Sequence, residues 1–190
     1  RATAHGGVTG DEVALRYGAR LSDALAWRVY AMEIDRDATH LSSGARRDDA
    51  ATKQHAGFRL DWQGASDRAT VQGDAYQGGG DKSQPLAATV AGANLLMRWR
   101  RESADGSNWQ LQGYVDEARR VERVEFQDDT RTLDLQFSQV PALSEDHRLI
   151  WGAGYRRAVG NTRATPLVLF DPAVKTLSWG NVFAQDEVRL

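Results

Sequence analysis

The sequence predicts an all-β fold, an antiparallel up-and-down meander of about eight or nine strands. Three observations carry this. Hydrophobic residues recur with a period of two, and no stretch shows the i, i+3, i+4 spacing of an amphipathic helix. The segments between the alternating stretches are by turns short and long. In a strand successive side chains point to opposite faces, so alternation sorts each segment into an apolar and a polar face.

Each element is justified in chain order. The first sets Val13, Leu15, Tyr17 and Leu21 against Arg16, Gly18 and Arg20. Residues 25–35 alternate less cleanly but fit; Phe58, Leu60 and Trp62 then oppose Arg59 and Asp61, and residues 68–77 fit in turn. Ala93, Leu95, Met97 and Trp99 oppose Asn94, Arg98 and Arg100. Trp109, Leu111, Gly113 and Val115 stand against Gln110, Gln112, Tyr114 and Asp116. Leu133, Leu135 and Phe137 oppose Asp134 and Gln136, and Leu149, Trp151, Ala153 and Tyr155 oppose Arg148, Gly152, Gly154 and Arg156. Residues 176–188 form the last and faintest segment. Short connections fall at 22–24, 64–67, 103–108 and 141–146, rich in the residues tight turns need. Long ones are expected over 36–54, 77–92, 117–129 and 158–175. In a meander, odd and even connections lie at opposite ends, so one end is trimmed close and the other carries loops.

Composition narrows the class. With 24 Lys+Arg, 26 Asp+Glu and a net charge of -2, the chain lacks the basic excess of a general nucleic-acid binder. It has no cysteine, hence no disulfide or thiolate metal site, and no run approaches the roughly 18 apolar residues of a transmembrane helix. A mean hydropathy of -0.55 reads as a soluble globular domain, but alternate apolar positions and polar loops give the same value. The chain opens at Arg1 without a leader, which reads as an excised segment or a mature form, and residues 1–190 as a single segment.

Alternation does not say which face meets water. A soluble barrel or sandwich binding module would turn its apolar face inward, with the six Trp packed in a core or stacked on sugar rings. A transmembrane β-barrel inverts the sense, apolar side toward lipid and polar side toward the lumen. Three features favour the second. The clean segments reach roughly 9–11 residues, enough to cross the hydrocarbon layer at a tilt. Short turns alternating with long loops match periplasmic turns and extracellular loops. Trp27, Trp62, Trp99, Trp109 and Trp151 all lie within a few residues of a short turn, where a girdle of membrane-interface aromatics would stand; only Trp179 follows a long connection.

Several phrases resemble barrel strands of TonB-dependent outer-membrane receptors. They include Leu15-Arg16-Tyr17-Gly18, Phe58-Arg59-Leu60-Asp61-Trp62, Val71-Gln72-Gly73-Asp74-Ala75-Tyr76 and Leu96-Met97-Arg98-Trp99. Gln112-Gly113-Tyr114-Val115-Asp116, Leu133-Asp134-Leu135-Gln136-Phe137, Trp151-Gly152-Ala153-Gly154-Tyr155-Arg156 and Phe183-Ala184-Gln185-Asp186-Glu187 continue the likeness from about Asp11 to the end. The resemblance implies a Gram-negative outer-membrane location and a barrel closed by a plug. It implies active uptake of a scarce small molecule such as a ferric siderophore, with TonB engaged through parts absent from this segment, and it implies no enzyme and no cofactor. The segment has no plug domain and less than half of such a barrel's strands.

Ligand capture would then draw on loops and upper lumen, where Arg46, Arg47, Tyr76, Arg119, Arg120 and Arg123 offer contacts to an anionic or chelated ligand. His5, His40, His55 and His147 are scattered without ligand spacing, and Gly78–Gly80 lacks the Lys and Ser/Thr of a phosphate loop. Glu33, Asp35 and Asp37 share a strand face running into a loop, a pattern that serves either a calcium site or a solvated strand end. No metal is expected elsewhere, and no catalytic carboxylate pair stands out from the acidic background.

Overall fold

The computed structural model describes every residue except 1, 8, 9, 81–86, 123, 145 and 190, and residues 2–7 through their backbone alone. Ten strands form one sheet in sequence order: β1 (Ala2–Gly7), β2 (Gly10–Arg20), β3 (Leu25–Arg36), β4 (Ala51–Gln63), β5 (Asp67–Gly80), β6 (Thr89–Glu102), β7 (Asn108–Glu122), β8 (Phe126–Val140), β9 (His147–Thr162) and β10 (Val174–Val188). Every neighbouring pair is antiparallel, as the alternation requires. The count exceeds expectation by β1. Its sequence Ala-Thr-Ala-His-Gly-Gly carries no large apolar side chain, so it shows no alternation and joins through backbone pairing with β2, from Ala2 opposite Leu15 to Gly7 opposite Gly10.

The strands run well past their clean segments, and this corrects the loops. Four tight connections at 21–24, 64–66, 103–107 and 141–146 occupy one end as expected. At the other end, 37–50 and 163–173 are long, but the connection expected over 117–129 shrinks to 123–125, and that over 77–92 to 81–88. Arg119 stands opposite Asp129 and Arg120 opposite Asp128 in an unbroken ladder. Charge on both faces had masked the β7 and β8 extensions, and glycines and other small residues at 77–80 and 89–92 had masked those of β5 and β6. A ladder can continue where both faces meet water, and there alternation no longer marks it. In the 103–107 turn, Ser103 N–H bonds Ser107 C=O, and Gly106 supplies the φ of 83° that closes it.

Register aligns like with like. One row across the apolar face reads Leu25, Trp62, Ala69, Trp99, Leu111, Phe137, Ala153 and Val182. A row of the polar face reads Arg28, Arg59, Gln72, Leu96, Tyr114, Asp134 and Arg156.

Exposure separates the faces in an unusual sense. Leu95, Met97, Leu111 and Val115 are 43, 47, 43 and 45% exposed, whereas the intervening Asn94, Leu96, Gln112 and Tyr114 are half-buried and Asp134 is 5% exposed. Side chains crowd one another on the polar side and splay apart on the apolar side, as they do in a sheet curling with its polar face inward. Among the described residues no large side chain is fully buried. A soluble domain of this size packs an apolar interior instead.

Candidate functional site

The sheet presents two chemically distinct faces. On the apolar face, five tryptophans gather toward the tight-turn end. Trp27 lies in the row of Leu60 and Met97, Trp62 and Trp99 share the next row, and Trp109 and Trp151 flank Gln139 in the row beyond. Ring contacts knit the band: Tyr17–Trp27 at 5.5 Å, Trp99–Trp109 at 5.4 Å and Phe137–Trp151 at 5.4 Å between centroids. The Trp99 indole N–H donates to Asp67 Oδ1 at 2.9 Å, so the ring lies on apolar surface while its polar atom reaches the turn. Trp179 differs, since it sits opposite Arg156 on the polar face.

The polar face carries a hydrogen-bonded network. Arg156 Nε donates to Asp134 Oδ2 at 2.7 Å, and Arg59 binds Asp61 through Nε and Nη2 while its Nη1 reaches Gln72. Thr70 completes that group by donating to Asp61 at 2.8 Å, and Arg98 donates twice to Gln112. Further toward the loop end, His55 Nε2 lies 3.0 Å from Asp74 Oδ1 and 3.3 Å from the Tyr30 hydroxyl. An ionised carboxylate only accepts, so Nε2 carries the proton and donates to Asp74. Both partners use one ring nitrogen. A relay from carboxylate through imidazole to a nucleophile needs them on different nitrogens, so this trio is not a hydrolytic triad.

Glycines make room for the aromatic rings here. A Cβ at Gly57 would lie 2.7 Å from the Tyr30 ring, and one at Gly92 would lie 2.7 Å from the Tyr76 ring. Tyr76 stands edge-on to His55 at 6.5 Å, with the Lys53 ammonium 5.6 Å from its ring centroid. Reading the sequence alone left His55 as one of four scattered histidines. Its parity places it on the polar face, but the register that brings Tyr30 and Asp74 to it is set by pairing across β3, β4 and β5.

The expected ligand contacts divide among three places. Arg46 and Arg47 lie in the 37–50 loop, where Arg46 bridges to His40 and Arg47 N–H donates to Thr39 C=O at 2.8 Å. Tyr76 and Arg120 are on the polar face, Arg120 paired with Glu122. Arg119 belongs to the apolar-side parity, and Arg123 lies outside the described residues. Of the acidic trio, Glu33 accepts from Gln54 at 3.2 Å and Asp35 from Thr52 at 3.0 Å, while Asp37 begins the loop. Among the described residues no group of His, Cys, Asp or Glu is placed to hold a metal ion.

Loop order at 37–50 rests on Asp49, whose carboxylate accepts from both the hydroxyl and the backbone N–H of Thr39. The Thr39 hydroxyl, then its N–H, holds the Asp49 carboxyl below the usual carboxylate value. In the 103–107 turn, the Ser107 hydroxyl and N–H lower Asp105 in the same way.

No family model matches the chain, and no curated protein matches it. Among solved structures, it is similar to the crystal structure of the siderophore receptor PirA from Pseudomonas aeruginosa, with a TM-score of 0.66 at 13% identity over 96% of this chain. LpxR from Salmonella typhimurium matches at a TM-score of 0.29 and 12% identity, over 95% of this chain and 78% of its own. At such identities the likeness to PirA is one of fold. The chain spans 31% of that receptor's length.

Proposed function

We propose that this chain is a stretch of barrel wall from a TonB-dependent receptor of the Gram-negative outer membrane, active in uptake of a scarce small molecule such as a ferric siderophore. One observation supports the reading most: the apolar face is the exposed one, and the polar, hydrogen-bonded face is the crowded one. That inversion suits a wall with lipid outside and water within. Strand length agrees. Fourteen residues, the length of β6, run about 46 Å at 3.3 Å per residue, or about 35 Å along the normal at a tilt near 40°. That exceeds an apolar band about 25 Å tall, so the strand ends stand clear of the membrane.

In this reading lipid covers the apolar face and the tryptophan band marks the interface at the tight-turn end. Tyr76 and Arg120 line the lumen, Arg46 and Arg47 belong to the loops above it, and TonB engages other parts of the protein. The parent protein should partition with outer membranes and dissolve only with detergent. It should also migrate faster on a gel before boiling than after. A monodisperse monomer without detergent would end the membrane reading; failure of growth on a chelated-iron source to depend on the gene would end the uptake reading alone.

A further inference from the structure

We propose that the polar face carries an arginine site for a small anionic solute, held by its carboxylate or phosphate groups, an inference that rests on that face lining a lumen. Three adjacent rows of this face, followed across β2 to β6 toward the tight turns, contain six arginines. Arg28 and Arg59 stand directly opposite each other in the first row. Arg20 and Arg98 lie at the two ends of the second, with Asp61 between them. Arg68 and Arg100 face each other in the third. Asp61 is the single carboxylate of this block, and Arg59 and Thr70 already hold it. In the adjoining rows of the same strands, Asp74 is bonded to His55, and Glu102 makes no ion pair with the arginines.

Charge identifies the occupant. Like charges directly opposite across strands destabilise a sheet, and this block holds two such pairs. Apart from Arg59, none of the six makes an ion pair among the described residues, and Arg98 donates only to the neutral Gln112. The same rows continued over β7 to β9 are balanced: their one acid and one base, Asp134 and Arg156, are bonded to each other. The positive excess is therefore local, in a chain whose net charge is -2. A wall lined by one sign of charge concentrates solutes of the other. Directly opposed side chains start from Cβ atoms about 5 Å apart, so two guanidinium groups can grip one oxyanion between them. Each presents paired N–H donors that match two oxygens of a carboxylate or phosphate. The block measures about 19 Å across its strands and about 13 Å along them, the scale of a small solute.

The test uses the intact parent protein in detergent at low salt, with heat-modifiable migration as the check that the barrel is folded and inorganic pyrophosphate as the probe. Calorimetric titration should show saturable binding that weakens as salt is added. Arg68→Gln with Arg100→Gln should weaken it about tenfold or more, since charge-assisted hydrogen bonds are lost. Arg101→Gln, the next residue along β6 but on the opposite face, should leave it unchanged. The double variant should melt no earlier than the parent protein, because it removes a like-charge pair, so its loss of binding is not a loss of fold. Phenylglyoxal, which modifies arginine, should reach Arg68 and Arg100 and be slowed at both by pyrophosphate. A folded protein that binds no pyrophosphate, or binds it equally well in the double variant, overturns the proposal. So does shielding of Arg68 and Arg100 from phenylglyoxal before pyrophosphate is added, since another part of the parent protein then covers them. Absence of heat-modifiable migration in the unmodified protein would overturn the barrel reading itself.

Discussion

A methyl group added at Gly57 would lie 2.7 Å from the Tyr30 ring and 2.8 Å from Asp74 Cβ, so neither neighbour can remain where it is. Gly57→Ala should therefore displace Tyr30 from His55 and cost about 1–3 kcal/mol, the usual penalty of overpacking. Trimming the ring in Gly57→Ala with Tyr30→Ala should recover part of that loss. The temperature at which heat-modifiable migration disappears reads both variants, and an unchanged Gly57→Ala would refute the packing argument. A second residue-scale effect concerns pH. Asp49 titrates below the usual 3.8 because its charged form accepts from Thr39. A lowered folded pKa stabilises above the unfolded value and loses that contribution as pH falls through the folded one. The 37–50 loop should thus hold its order at neutral pH and loosen below about 3.8, with Asp49→Asn loosening it at neutral pH too. Amide exchange at Thr39 is the direct measurement; equal protection in Asp49→Asn would show that the loop is ordered by something else.

At the scale of strands, much of the architecture was legible because burial on one face imposes a period of two. Segments such as Ala93 to Arg100 announce themselves, and their partners follow from the tight turns between them. β1 was invisible since small residues on both faces carry no period. The outer ends of β7 and β8 were hidden for the opposite reason, charge on both faces. The His55 site needed register, which decides that Tyr30 and Asp74 meet one imidazole, and no spacing along the chain encodes that contact. The tryptophan band was legible one strand at a time, from proximity to turns, and the register gathers it into three adjacent rows. This placement is testable by fluorescence in vesicles whose lipids carry bromine either near the headgroup or near the chain end. Shallow bromine should quench the parent protein's emission from this band more strongly than deep bromine, and replacing Trp99 and Trp109 with Phe should shrink the difference. Equal quenching by both labels, or by neither, would remove the band from the interface.

Among the described residues the sheet does not close: β1 pairs only with β2 and β10 only with β9, so each outer strand presents an unpaired row of backbone groups. In water such edges can be solvated. In lipid they cannot, because each unsatisfied N–H or C=O costs several kcal/mol there and only closed barrels of strands are stable. All fifteen residues of β10 are exposed, and its faces differ from those of its neighbours, with Trp179 and Phe183 on the polar side and Val182 83% exposed on the other. Such a strand awaits a neighbour. The barrel proposed above therefore needs other strands to pair with both edges. Residues 1–190 refolded alone into detergent should therefore give concentration-dependent oligomers without heat-modifiable migration, since one copy's edge is then the best available partner for another's. The parent barrel under the same conditions should give a discrete band resistant to protease. A stable, protease-resistant monomer from residues 1–190 alone would mean that β1 and β10 can meet, and that ten strands suffice to close the wall.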